Sequence, residues 1–329
     1  MFTSKKSWFI ALVICLFAFT SIAVAKPAGF TTIDYPGAVH TYAFGINPAG
    51  DIVGSYVDTL GREHGFARFK TRGEDEGERN DDTLKQEHGS ALRNGNFISF
   101  DWPGSTWTQG WGINAQGDIV GQYGWFDGVN QTVHGFLLRH GNLYPIDVPF
   151  QPNTMPVKIS PKGKIVGCYH VANPNGTTIL DTMYGFELDW GVTSNPLNRT
   201  MNNGVNPAGD VVGLYFSPTN NRVEQSYLIH DGVLTWFQFP GSVVTQAWDI
   251  SPRGTIVGFH RTSLTGPLPQ FHGFVMEDGE MTSFDVPAAT ATRAYSINAK
   301  GDIVGYYVVG TGSAAVNHGF LLSRRGPEE

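Results

Sequence analysis

The stretch "GINPAGDIVGSY" (residues 45–56) reads as a tight turn between two short apolar runs, and it returns five more times. The later copies are "GINAQGDIVGQY" (112–123), "KISPKGKIVGCY" (158–169), "GVNPAGDVVGLY" (204–215), "DISPRGTIVGFH" (249–260) and "SINAKGDIVGYY" (296–307). With the Ile or Val of each copy as a marker, at 46, 113, 159, 205, 250 and 297, the spacings are 67, 46, 46, 45 and 47 residues. A fixed period of this size marks a repeat architecture. The long first interval holds "TRGEDEGERNDDTLKQEHGSALRN" (71–94), a charged insertion with few apolar residues that is expected to remain a solvated loop.

Each repeat breaks into four segments with strand character. The first ends on the turn, as in "TYAFGIN"; the second is "DIVGSY", whose alternate residues are apolar on both faces, so the strand is expected to be covered on both sides. The third begins with "HGF" at 64, 134, 272 and 318, with "YGF" at 184 and a degraded "QSY" at 225. The fourth is "FISFDWPG" (97–104) and its relatives. Asn47, Pro48, Ala49 and Gly50 supply a side-chain acceptor, a fixed φ and a glycine in the order a type I turn prefers. The glycine after each "IV" or "VV", at 54, 121, 167, 213, 258 and 305, marks a bulge or a close neighbouring backbone.

Four-stranded units at this period predict an all-β fold, a six-bladed β-propeller of four-stranded blades. An open β-solenoid is the alternative, but it needs capping ends that this sequence does not show. The chain starts with a fourth-strand segment, "FTTIDYPG" (30–37), and ends with a third-strand segment, "HGFLLS" (318–323). The ring is therefore expected to be closed by the N-terminal strand, with residues 26–322 forming a single domain and 323–329 a tail.

The opening "MFTSKKSWFIALVICLFAFTSIAVAK" places Lys5 and Lys6 before an apolar run that closes on Ala23, Val24 and Ala25, so residues 1–25 are expected to be a signal peptide. A membrane anchor is the alternative, since the run from Trp8 to Val24 reaches the short edge of a bilayer span. Loss of the two leader lysines takes the formal charge from −7 to −9, which argues against nucleic acid as a partner. Cys168 is then the one remaining cysteine; no intrachain disulfide can form, and a small buried thiol is expected. A monomer, secreted or periplasmic and free of the membrane, is the expectation.

The "HGF" and "GIN..GDIVG.Y" segments, with "FD.PG" between them, resemble the HAF-repeat family of predicted extracellular proteins, named for a His-Ala-Phe triplet. Here Gly65 replaces the Ala between His64 and Phe66, and the triplet is lost at Gln225, Ser226 and Tyr227. The resemblance spans about residues 30–322. It implies a propeller-like repeat fold and no particular reaction. Some relatives end in a membrane-bearing sorting tail, whereas this sequence ends "LLSRRGPEE", which favours release from the cell surface.

Four histidines, His64, His134, His272 and His318, invite a metal site. They begin the third strand of different blades, about two strand spacings of roughly 4.8 Å from the innermost strand, so they cannot converge within about 2.1 Å of one ion. Bonds to neighbouring groups are expected instead, and no metal or cofactor. Asp34, Asp101, Asp147 and Asp285 of the "FD.PG" segments are expected to stabilise turns. The sequence holds no GxSxG, HExxH, phosphate-loop or EF-hand spelling.

Only the innermost strands and the loops feeding them bring all six copies near one axis, so a site is expected where the copies differ there. The first such position reads Tyr42, Gln109, Met155, Met201, Gln246 and Arg293; a later one reads Phe44, Trp111, Val157, Asn203, Trp248 and Tyr295. Next to these, Lys158 and Asp249 replace small residues. Tyr42, Gln109, Lys158, Gln246, Asp249 and Arg293 are therefore candidate ligand contacts at the channel mouth, joined by Trp102, Trp107 and Trp125, expected in connecting loops. Trp111 and Trp248 are expected to pack between blades. Aromatic faces beside amide and charged groups suit a sugar or peptide. The expectation is a non-catalytic binding module for a glycan or a surface protein. A polysaccharide-active hydrolase or lyase and a structural or adhesive repeat protein are the alternatives.

Overall fold

The four segments of each repeat pair antiparallel into one sheet, and the described residues form six such units, numbered I to VI, with no α-helix. The computed structural model describes residues 29–70, 93–94, 96–126, 131–151, 153–171, 179–189, 191–220, 223–265 and 270–323. The expected leader, the insertion up to residue 92 and the tail from 324 lie outside the described residues. Unit I comprises His40–Ile46, Ile52–Val57, Glu63–Arg68 and Phe97–Phe100. The innermost strands of units II to VI are Trp107–Ile113, Asn153–Ile159, Thr200–Val205, Val244–Ile250 and Ala291–Ile297. Unit VI takes its outer strand from the other end of the chain: Gly29–Ile33 pairs with Val316–Ser323 in the register Gly29↔Ser323 to Ile33↔Gly319.

Turn chemistry sets the strand spacing. Gly50 N–H donates to the Asn47 carbonyl at 3.0 Å, Gly50 lies at φ 93, and Asn47 Oδ1 accepts from Asp51 N–H at 3.0 Å. The same carbonyl-to-glycine bond closes the other five turns. At the opposite end, the "FD.PG" turn is capped by the threonine that opens the next inner strand: Thr41, Thr108, Thr154, Thr245 and Thr292 each accept a backbone N–H through Oγ1 at 2.9–3.0 Å. The aspartates of that turn do something else. Asp34, Asp101, Asp147 and Asp285 receive the ring nitrogens of His318, His64, His134 and His272 at 2.7–3.0 Å, tying the fourth strand to the third. The role expected for them, stabilising the turn itself, belongs to threonine, whose hydroxyl stands under the free N–H.

Each unit is centred on the third-strand aromatic, Phe66, Phe136, Phe186, Tyr227, Phe274 or Phe320, all fully buried. Burying such a ring stabilises by roughly 1.5–3 kcal/mol. The second-strand valine packs outward, into the core of the next unit. Val53 joins the core of unit II, Val120 that of unit III, Val166 that of unit IV, Val212 that of unit V and Val257 that of unit VI. Val304 of unit VI packs with Ala43, Ile46, Ile52 and Phe66 of unit I. Between them, Asn298 Nδ2 donates to the Asn47 carbonyl and Ile46 N–H to Ser296 Oγ, both at 3.3 Å.

Candidate functional site

All six inner strands carry a register shift at the same place, so that Phe44, Trp111, Val157, Asn203, Trp248 and Tyr295 are the extra residues of six bulges. The shift brings an inner-strand carbonyl against the next strand: a Cβ on Gly54 would lie 1.8 Å from the Tyr42 carbonyl oxygen, and one on Gly258 1.9 Å from that of Gln246. That contact accounts for the glycine in every copy. The bulge also turns the aromatic residues toward one another. Phe44 stacks on Trp111 at 4.2 Å, Trp111 on Trp248 at 5.6 Å, and Tyr295 packs against Trp248 at 4.5 Å.

One step further along the inner strands, Lys158 and Asp249 are both buried and paired, and Ser296 Oγ accepts from Lys158 Nζ and donates to Asp249 Oδ2, each at 2.7 Å. Ile297 N–H also donates to Asp249 Oδ2 at 3.0 Å. The turn ends around this cluster leave a depression of about 50 Å³. Lys158 and Asp249 are consumed by each other, and the mouth assigned to them from sequence is closed by aromatic rings and an ion pair.

Beyond the rings, two amides act as relays. Trp111 Nε1 donates to Gln109 Oε1 and Gln109 Nε2 to Glu63 Oε1, both at 2.9 Å. Trp248 Nε1 likewise donates to Gln246 Oε1, and Gln246 Nε2 to Glu224. Gln109 and Gln246 thus have both ends occupied and position carboxylates that the sequence reading did not single out. The signal was present, since a Glu stands immediately before the third-strand triplet at 63 and at 224 and nowhere else.

The two halves differ in what surrounds those carboxylates. Beside Glu63 opens a cavity of about 660 Å³ lined by Gln109, Trp107, Gln122, Val133, Asn153, Met155 and His170. Glu63 and Trp107 also line a neighbouring groove of about 270 Å³, shared with His64, Asp101 and Trp102. Trp107 Nε1 is buried and has no hydrogen-bond partner among the described residues. Three repeats later the equivalent positions are filled: Phe259 stands for Gln122, Phe271 for Val133, Arg293 for Met155 and Val244 for Trp107. The Arg293 guanidinium lies 4.0 Å from the centre of the Phe271 ring and 5.3 Å from that of Phe259, and donates to Tyr306. Burial under these rings pushes the Glu224 carboxyl above its ordinary range, with Gln246, Arg261 and Arg293 opposing.

Of the candidates, Trp102, Trp107 and Gln109 are brought together at this cavity and its groove. Arg293 and Gln246 lie in the filled half, and Tyr42 accepts from Asn317 Nδ2 at 3.0 Å with its ring edge-on to Tyr306. Trp102 is in a connecting loop and stacks on Tyr123 at 4.0 Å. Trp107 and Trp125 are not in loops: Trp107 opens an inner strand, and Trp125 lies in Ile119–Phe126, whose pairing with Gln131–Arg139 runs past the repeated motif. Trp125 Nε1 donates to the Gly104 carbonyl at 2.7 Å. Cys168 is buried, and burial pushes its thiol up to about 12. No helix among the described residues is long and apolar enough to cross a membrane.

No protein-family model matches the chain, and no curated protein matches it. Solved structures do. TolB from Acinetobacter baumannii superposes with a TM-score of 0.51 at 14% identity, over 85% of this chain and 65% of TolB, so the chain spans less than two thirds of TolB's length. A fucose-specific lectin from Aleuria aurantia matches with a TM-score of 0.47 at 10% identity, over 88% of this chain and 97% of the lectin. An ulvan lyase matches with a TM-score of 0.39 at 10% identity, over 89% and 84%. What the chain has in common with TolB is its all-β fold, and the likeness extends to fold alone.

Proposed function

We propose that the chain is an exported, non-catalytic six-bladed β-propeller of the HAF-repeat kind that binds a glycan in the cavity beside Glu63 and Trp107. The ring is supported by the order of valine contacts, which passes from each unit to the next and from unit VI to unit I. The observation that carries the site is the contrast between halves: one relay faces a cavity of about 660 Å³, while its counterpart is packed with Phe259, Phe271 and Arg293. That volume lies in the ordinary range for ligand pockets, roughly 300–1,000 Å³. An indole face, a fixed carboxylate and an amide suit a sugar ring, which offers apolar C–H faces and hydroxyl edges. Glu63 is the one carboxylate among the cavity's lining residues, and Asp101, which shares the adjoining groove with it, is engaged by His64 Nδ1 at 2.8 Å, whereas glycoside hydrolysis ordinarily uses a pair of carboxyls flanking one bond. Binding is accordingly favoured over catalysis.

A glycan array probed with wild-type protein and Trp107→Ala tests this. Retention of one or more glycans by wild type, with affinity lowered about tenfold or more in Trp107→Ala and the melting temperature nearly kept, is the expected result. Retention of none, or equal binding by the variant, would remove the reading.

A further inference from the structure

The Glu63 carboxylate is fixed on one side and open on the other. Its Oε1 accepts from Ser55 Oγ at 2.6 Å and from Gln109 Nε2 at 2.9 Å, while Oε2 has no hydrogen-bond partner among the described residues. It lines both the cavity and the outer groove, where Asp101 adds a second negative charge, partly offset through its bond to His64. In the cavity, Asn153 Oδ1 accepts from Val133 N–H at 3.0 Å, which turns its amide N–H outward from that bond, and Trp107, whose buried Nε1 has no partner among the described residues, adds its indole to the wall. The rest of the wall is polar at Thr106, Gln109, Gln122 and His170 and apolar at Val133 and Met155.

From this we infer that the cavity takes an uncharged, hydroxyl-bearing sugar residue and rejects carboxylated or sulfated ones, with Glu63 as the discriminating group. The inference rests on the glycan reading above. A hydroxyl donating to Oε2 makes a charge-assisted hydrogen bond, stronger than a neutral one. A uronate or sulfate brought to the same place meets a like charge in a partly desolvated site, where repulsion is less screened than in water. The amide of Asn153 serves a hydroxyl oxygen, and the Trp107 indole covers the ring.

Glu63→Gln isolates this role. Its side-chain carbonyl can still accept from Ser55 and Gln109, so the relay keeps its acceptor, and only the open side changes, from carboxylate oxygen to amide N–H. Wild type and variant are titrated with cellotetraose, mannotetraose, chitosan tetramer and tetragalacturonate, by calorimetry and tryptophan fluorescence. Wild type is expected to bind a neutral tetrasaccharide at least about tenfold more tightly than tetragalacturonate. In Glu63→Gln, neutral binding falls about tenfold and the preference over tetragalacturonate collapses. Wild-type binding led by tetragalacturonate or by the cationic chitosan tetramer, or an unchanged preference in the variant, overturns the inference and leaves the glycan reading standing. Binding of none of the four, with an empty array, removes both.

Discussion

His260 stands where the other five units have tyrosine, at 56, 123, 169, 215 and 307. Its ring does the tyrosine's work: Nε2 meets Ser283 Oγ at 3.0 Å, as Tyr56 and Tyr169 hydroxyls meet Ser99 and Ser194 at 2.9 Å, and Phe239 stacks on it at 3.6 Å. Burial, helped by nearby His272 and opposed by Asp285, brings the imidazole down to about 4. Between its unfolded value near 6.5 and about 4, the unfolded chain takes up a proton that the folded chain refuses. Stability from this group is therefore full above about pH 6.5 and is lost as the pH falls toward 4. His260→Tyr should lose about 1–2 kcal/mol less than wild type between pH 7 and pH 5, read by urea denaturation at both pH values. Equal losses would show that His260 is not held neutral. The Asp–His pairs were half legible in the sequence. The histidines are expected to bond neighbours, but the aspartates read as turn residues, because a residue two places before a proline looks local while its partner sits 13, 37 or 284 residues away.

At the scale of one element, the inner strand carries most of what is particular to this chain. Three of its six copies place glycine at the crowded position: a Cβ on Gly45, Gly112 or Gly204 would come within 2.6–2.8 Å of the neighbouring inner strand. Two others place Lys158 and Asp249 there, which satisfy each other and Ser296. Lys158→Met should leave Asp249 buried with hydrogen bonds but no countercharge, at a cost of about 3–5 kcal/mol in chemical denaturation. A loss under about 1 kcal/mol would mean that the pair is not a buried one. The turn was legible because its chemistry lies within four residues. The bulge was foreshadowed by the conserved spacing of "IVG" within the chain, but its consequence, a knot of aromatic rings on one line, depends on partners from four units and could not be read from any one copy.

For the whole molecule, the repeat dictated strand order and pairing, since period, turns and the two unequal ends point to the same arrangement. The cavity was hidden for a different reason. Glu63 lies outside the repeated motif, and its partner Gln109 is 46 residues away. Only the residues lining the space, three repeats apart, distinguish the open half from the filled one: Val133 against Phe271, Met155 against Arg293. If that difference defines the site, the described residues hold one open relay cavity and a blocked counterpart. The most direct measurement is the calorimetric stoichiometry of wild-type protein with its best-bound tetrasaccharide. One ligand per chain is the predicted result; two per chain, or one that survives both Trp107→Ala and Glu63→Gln undiminished, would contradict it.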